Sequence, residues 1–157
     1  MATPSPSLTF DGVPKHNIMK LYTYLNFNGN CRAAFEYYEK HLGGKILMMM
    51  KHSDAPSGSA IPPEWSSAIL YARMSLGETE LMAADIPPDR QKPMRSAYLY
   101  LSVSGPEEAE RVFTSLSDGG QIIMPLEETF WAARYAVVRD QFGTLWMISA
   151  DRVTGAS

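Results

Sequence analysis

The 157 residues contain one cysteine, Cys31, so no disulfide can form within the chain, and a lone thiol fits a reducing compartment. Histidine is almost as scarce. His16, His41 and His52 share no spacing that would hold a metal ion. Basic charge is not in excess: 14 Lys and Arg stand against 17 Asp and Glu, a net charge of −3. A nucleic-acid partner needs a basic stripe, and none is present. The longest apolar runs, such as Ile46 to Met50 and Ala97 to Leu101, are far short of the roughly 20 residues a membrane span requires. There is no phosphate loop, nucleophile elbow or zinc-finger spacing. Residues 1–18 have neither the apolar core nor the basic start of a leader peptide and read as a tail, as do residues 153–157. The expected location is therefore cytoplasmic.

What the chain does have is a repeat. Tyr22-Thr23-Tyr24-Leu25-Asn26-Phe27-Asn28-Gly29 matches Tyr98-Leu99-Tyr100-Leu101-Ser102-Val103-Ser104-Gly105 at an offset of 76 residues. Gly43-Gly44 matches Gly119-Gly120 at the same offset. A later block matches at offset 66, setting Arg73 on Arg139 and Leu81-Met82-Ala83-Ala84-Asp85 on Met147-Ile148-Ser149-Ala150-Asp151. Two registers in chain order mark two copies of one unit, residues 19–86 and 95–152. Together they make one domain, residues 19–152.

Each copy reads as a strand, a helix and three strands. Alternation over residues 20–27 and 97–103 has the period of a half-buried strand. Ala34, Phe35, Tyr38 and Leu42 give a helical stripe ending at the glycine pair, with Asn28 or Asn30 as N-cap. Ala109, Val112, Phe113 and Leu116 do the same in the second copy, where Ser104 and Glu107 suggest a capping box. Further strands are predicted near 44–51, 67–76 and 79–85, and near 120–124, 134–140 and 144–150. Ser53 to Pro63 is a long loop.

The order of these motifs resembles the glyoxalase/bleomycin-resistance/dioxygenase (vicinal oxygen chelate) superfamily, in its PhnB-like branch. The resemblance covers Lys20 to Asp151. It is carried by Asn28-Gly29-Asn30-Cys31, Ala34-Phe35-Glu36-Tyr37-Tyr38, Leu42-Gly43-Gly44, Leu81 to Asp85, Met124 to Trp131, Asp140, Phe142-Gly143 and Trp146-Met147. It implies an α+β fold in which two tandem βαβββ modules form curved mixed sheets around a concave cavity, with helices on the convex side. It also implies a homodimer. Leu21, Leu25, Phe27, Leu99, Leu101 and Val103 would then lie beneath the helices, and Tyr22, Tyr24, Tyr98 and Tyr100 would face the hollow.

Catalytic relatives hold a divalent metal with His, Glu or Gln from the first and last strands of their modules. The matching strands here offer no His, and Glu80 is the only weak candidate. Tyr71 stands where many PhnB-like chains have His. The expectation is a small-molecule-binding protein that lacks the metal centre and needs no cofactor. The alternative is a lyase, isomerase, transferase or dioxygenase of the same superfamily that uses a divalent metal on relocated ligands. The residues expected to meet a ligand are Tyr24, Tyr71, Arg73, Tyr100, Trp131 and Arg134. Trp131 and Arg134 enter on the reading that the loop around Phe130-Trp131 closes the mouth of the hollow. Cys31 begins a helix, where a thiol pKa can fall, but no nearby His supports it as a nucleophile.

Overall fold

The computed structural model describes residues 19–56 and 62–152. Both predicted tails, and with them His16, lie outside the described residues, as does the middle of the long loop. The first module is β1 (Thr23–Phe27), α1 (Cys31–Leu42), β2 (Lys45–Lys51), β3 (Ile69–Leu76) and β4 (Thr79–Asp85). The second is β5 (Leu99–Val103), α2 (Pro106–Ser117), β6 (Gln121–Glu127), β7 (Ala132–Arg139) and β8 (Leu145–Asp151). The sheets run β1-β4-β3-β2 and β5-β8-β7-β6. In each, the first strand lies parallel to the last and the remaining pairs are antiparallel. These are the two tandem βαβββ units of an α+β fold, with curved, unclosed mixed sheets.

Helix α1 packs on β2, β3 and β4, and α2 packs on β6, β7 and β8. The apolar side of each sheet faces its helix. Leu25, Phe27, Ala72, Met74, Leu81 and Ala83 are buried under α1, and Ala136, Val138, Trp146, Ile148 and Ala150 under α2. Leu99, Leu101 and Val103 pack against the same core. Leu21 does not: it precedes β1 and is 90% exposed. Its place in the alternation is right, but the strand begins too late to bring it under the helix.

The modules join through their helical side. The Tyr38 hydroxyl on α1 donates to Asp140 Oδ2 at 2.6 Å, and the Trp146 indole nitrogen donates to the same oxygen at 2.8 Å. Tyr37 donates to the Ser115 carbonyl, and Arg111 to that of His41. The two cores thus merge into one cluster.

Two expectations change at the helix starts. Ser104 is not the cap of α2, because Gly105 occupies that position and no side chain caps it. Asn30 is the N-cap of α1 but forms no side-chain cap bond either. Asp85, from the end of β4, takes over that role. Its Oδ1 accepts the Cys31 N–H at 3.0 Å, and its Oδ2 accepts the Ile69 N–H at 2.8 Å. A carboxylate suits the positive end of a helix.

The second repeat register is also off by at least one residue. Tyr24 pairs with Met82, and Tyr100 pairs with Met147. Asp85 therefore corresponds to Ala150 rather than Asp151. Arg73 pairs with Met82 and Val137 with Met147, so Arg73 corresponds to Val137 rather than Arg139. A one-residue slip moves every strand side chain to the other face, so this correction decides which residues share a surface.

Candidate functional site

Strand alternation leaves each sheet a second face, turned away from its helix. Across the first sheet one rung runs Tyr24, Met82, Arg73, Met48. Across the second the corresponding rung runs Tyr100, Met147, Val137, Met124. Three of the four positions carry the same residue type in both sheets. Phenol rings and thioethers are large, polarisable and adaptable. Tyr24 is 49% and Tyr100 56% exposed, so the tyrosine end of each rung is open within one chain, although Val137 in the second is buried.

The first face carries one charged pair. Arg73 Nε and Nη2 both donate to Glu80 Oε2, at 3.0 and 2.5 Å. This bond, and then the carboxylate's charge, raise the Arg73 pKa above its already high value. Tyr71 lies on the same strand face as Arg73, two residues away, and its neighbour across β2 is Met50. Tyr24 is close enough to Tyr71 for that phenol to contribute to its raised pKa, after burial and Cys31.

The second face is uncharged at its centre. Tyr135 flanks Val137 and pairs with Ser149. Burial, then Tyr100 and Tyr98, push the Tyr135 phenol pKa up. Trp131 stacks edge-on with Tyr135 at 5.5 Å between ring centroids, and Phe130 with Trp131 at 4.7 Å. Trp131 thereby extends the aromatic surface from the β6–β7 loop. Arg134 does not join it. It pairs with Ala150, on the helix-facing side of the ladder, and its Nη1 donates to the neighbouring Ala133 carbonyl.

Of the expected ligand residues, Tyr24, Tyr71 and Arg73 share the first face, and Tyr100 and Trp131 belong to the second. Met82, Met147, Met124 and Tyr135 lie there too and were not singled out, while Met48 belongs to a methionine run, Met48-Met49-Met50, that reads from sequence as packing surface rather than ligand surface. Their signal was the repeat itself, once read in the correct register. A groove of about 680 Å³ lies elsewhere, between the edge of β5 and the β3–β4 turn. It is lined by Leu42, Leu76, Leu81, Leu99 and Trp146 among others, and reaches Tyr100 but none of the other five.

A divalent metal does not fit these faces. On the first face Glu80 is already held by Arg73, and on the second Glu127 stands opposite Tyr135 on the edge strand β6. Phenols and thioethers are poor ligands for a hard dication at neutral pH. No group of three or more His, Cys, Asp or Glu side chains converges among the described residues. Cys31 is fully buried, and burial, followed by the Asp85 charge, pushes its thiol up to about 12. It is therefore not the activated thiol that a helix start can produce. No helix among the described residues is long and apolar enough to cross a membrane.

The Glyoxalase/Bleomycin resistance protein/Dioxygenase superfamily model matches residues 22–148. Protein YjdN of Escherichia coli (strain K12) is 32% identical over 142 residues, which is 83% of this chain and 95% of that protein. The crystal structure of protein PA1353 from Pseudomonas aeruginosa superimposes with a TM-score of 0.77 at 38% identity, over 85% of this chain and 98% of the other. A PhnB protein from Bacillus cereus shares the fold with a TM-score of 0.72 at 22% identity, over 84% and 99% of the two chains. Its fold is that of the branch to which the sequence motifs point. The chain belongs to the glyoxalase/bleomycin resistance protein/dioxygenase superfamily.

Proposed function

We propose that this protein binds a small, flat, largely apolar molecule on the aromatic and thioether faces of its two sheets, without a metal ion. The observation that carries the reading is the recurring rung: tyrosine, methionine, a variable residue and methionine, at corresponding places in both sheets. Exposed Tyr24, Tyr100, Met48 and Met124 with half-buried Met82 and Met147, rather than acidic or imidazole ligands, suit stacking and not Lewis-acid chemistry.

A second copy of the chain completes the site. Leu47, Met48, Ile122, Ile123 and Met124 are each between 44% and 50% exposed on β2 and β6, alongside the open rungs. That much apolar surface on edge strands calls for a cover.

The test uses the full-length protein. A panel of planar aromatic compounds is screened by thermal shift, with and without Zn²⁺, Ni²⁺, Mn²⁺ or Fe²⁺, while light scattering reports the mass in solution. The expected result is stabilisation by one or more compounds in the absence of metal, from a dimer. Binding should quench the fluorescence of Trp131, and Trp131→Phe should remove that quench. Turnover that requires tightly held metal would overturn the reading in favour of the metal-dependent alternative.

A further inference from the structure

The two rungs match at three positions and differ at one, Arg73 against Val137. The second sheet builds the same rung with an apolar residue, so the fold does not require a cation there. Nor does the ion pair do much for stability. Arg73 and Glu80 keep 35% and 24% of their side-chain surface in water, where such pairs contribute little. An arginine that neither fold nor stability requires, at the centre of an open aromatic face, points to a ligand.

The geometry also restricts which ligand. Glu80 Oε2 takes both donated bonds, so Arg73 Nη1 and Glu80 Oε1 make no hydrogen bond among the described residues. The pair thus offers a donor and an acceptor with no net charge. A carboxylate or phosphate would find its cation already neutralised and a like charge beside it. A neutral group with both a donor and an acceptor would meet complementary partners. Resting on the binding reading above, we propose that the Arg73–Glu80 pair selects the polar end of the ligand, which is an uncharged amide or lactam on a flat aromatic body. The second face, where Tyr100, Met147, Val137 and Tyr135 carry no charge, takes apolar ring surface only.

Two probes of nearly equal shape separate the possibilities: 1-naphthamide and 1-naphthoate, titrated calorimetrically into the full-length protein. The native protein should bind the amide at least about tenfold more tightly than the carboxylate. Glu80→Gln keeps the shape, removes the charge and frees Arg73, so the preference should vanish or reverse. Arg73→Met copies the apolar character of the second rung but leaves the Glu80 charge unopposed, so the carboxylate should lose more than the amide and the preference should widen. Equal affinities in the native protein, or a ratio unmoved by both substitutions, would overturn this proposal and leave the binding reading standing. If neither probe binds, and the wider aromatic panel fails as well, both fall.

Discussion

Asp85 and Ala150 stand at the same place in their sheets, one paired with Phe27 and the other with Val103. The difference follows from the helix each one faces. Helix α1 begins with Cys31, whose N–H needs an acceptor and finds Asp85. Helix α2 begins with Pro106, which has no N–H to satisfy. An acidic residue is built in where the donor exists and omitted where it does not.

Asp85→Ala should therefore be costly. It strands the N–H groups of Cys31 and Ile69 in a buried place, a loss of about 3 kcal/mol. Ala150→Asp should be at least as damaging, because it buries a carboxylate with no Pro106 N–H to receive it. Urea denaturation of both variants checks this, and an Ala150→Asp protein as stable as the native one would refute the pairing.

The junction between modules makes a separate prediction. Tyr38→Phe removes the bonds to Asp140 and Thr144 but keeps the ring against Trp146, 5.3 Å away. It should cost about 1–2 kcal/mol. Asp140→Ala should cost more, about 3 kcal/mol. It strands three donors, Trp146 and the N–H groups of Phe142 and Thr144, and leaves the Tyr38 hydroxyl with Thr144 alone. The order of the two denaturation midpoints is the measurement.

Much of this architecture was legible in the residues. Period-two alternation located the strands, and the stripe Ala34, Phe35, Tyr38 marked the buried side of α1. The repeat announced two modules. Register was less legible, because Leu81 to Asp85 matches residues 147–151 by type while the sheet pairs it one place earlier. The β3–β4 turn is shorter than the one between β7 and β8, and composition does not encode that difference. The same slip hid Met82 and Met147 as partners of the two tyrosines. Arg134 was misplaced for a different reason: it reads as part of the aromatic loop, whereas the ladder is regular from Arg134 to Arg139 and alternation sets it on the side of Ala136 and Val138. The Asp85 cap was invisible because it joins residues 54 positions apart.

Alkaline pH should weaken the fold through Cys31. Its thiol titrates near pH 8.5 when unfolded and is pushed up to about 12 in the fold by burial and then by Asp85. The folded state thus holds a proton that the unfolded state has lost. The stabilisation from keeping the thiol neutral is whole below the unfolded value. It declines as pH rises above it, by about 1.4 kcal/mol per unit until the folded value is reached. Between pH 8.5 and 10, Cys31→Ala should show a shallower decline than the native protein, although it starts from a lower stability. A native thiol that reacts with an alkylating reagent as fast as free cysteine would contradict this burial.

The two glycine pairs look equivalent in sequence, yet Gly44 and Gly120 should respond differently to the same change. A methyl group on Gly44 would meet the Met74 sulfur at 2.8 Å and the Ser75 carbonyl at 3.1 Å. The sulfur ends a flexible side chain and can move aside. A methyl group on Gly120 would lie 2.3 Å from the Arg139 carbonyl oxygen and 3.0 Å from the Asp140 Cα. Both are backbone atoms, and Asp140 is the acceptor that joins the modules, so neither can yield without disturbing the Tyr38 and Trp146 bonds. Gly44→Ala should cost about 1–2 kcal/mol and Gly120→Ala about 3 kcal/mol or more. Gly120→Ala should also perturb the near-ultraviolet signal of Trp146, and Gly44→Ala should not. Equal losses would mean that the contact between Gly120 and the end of β7 is looser than these distances require.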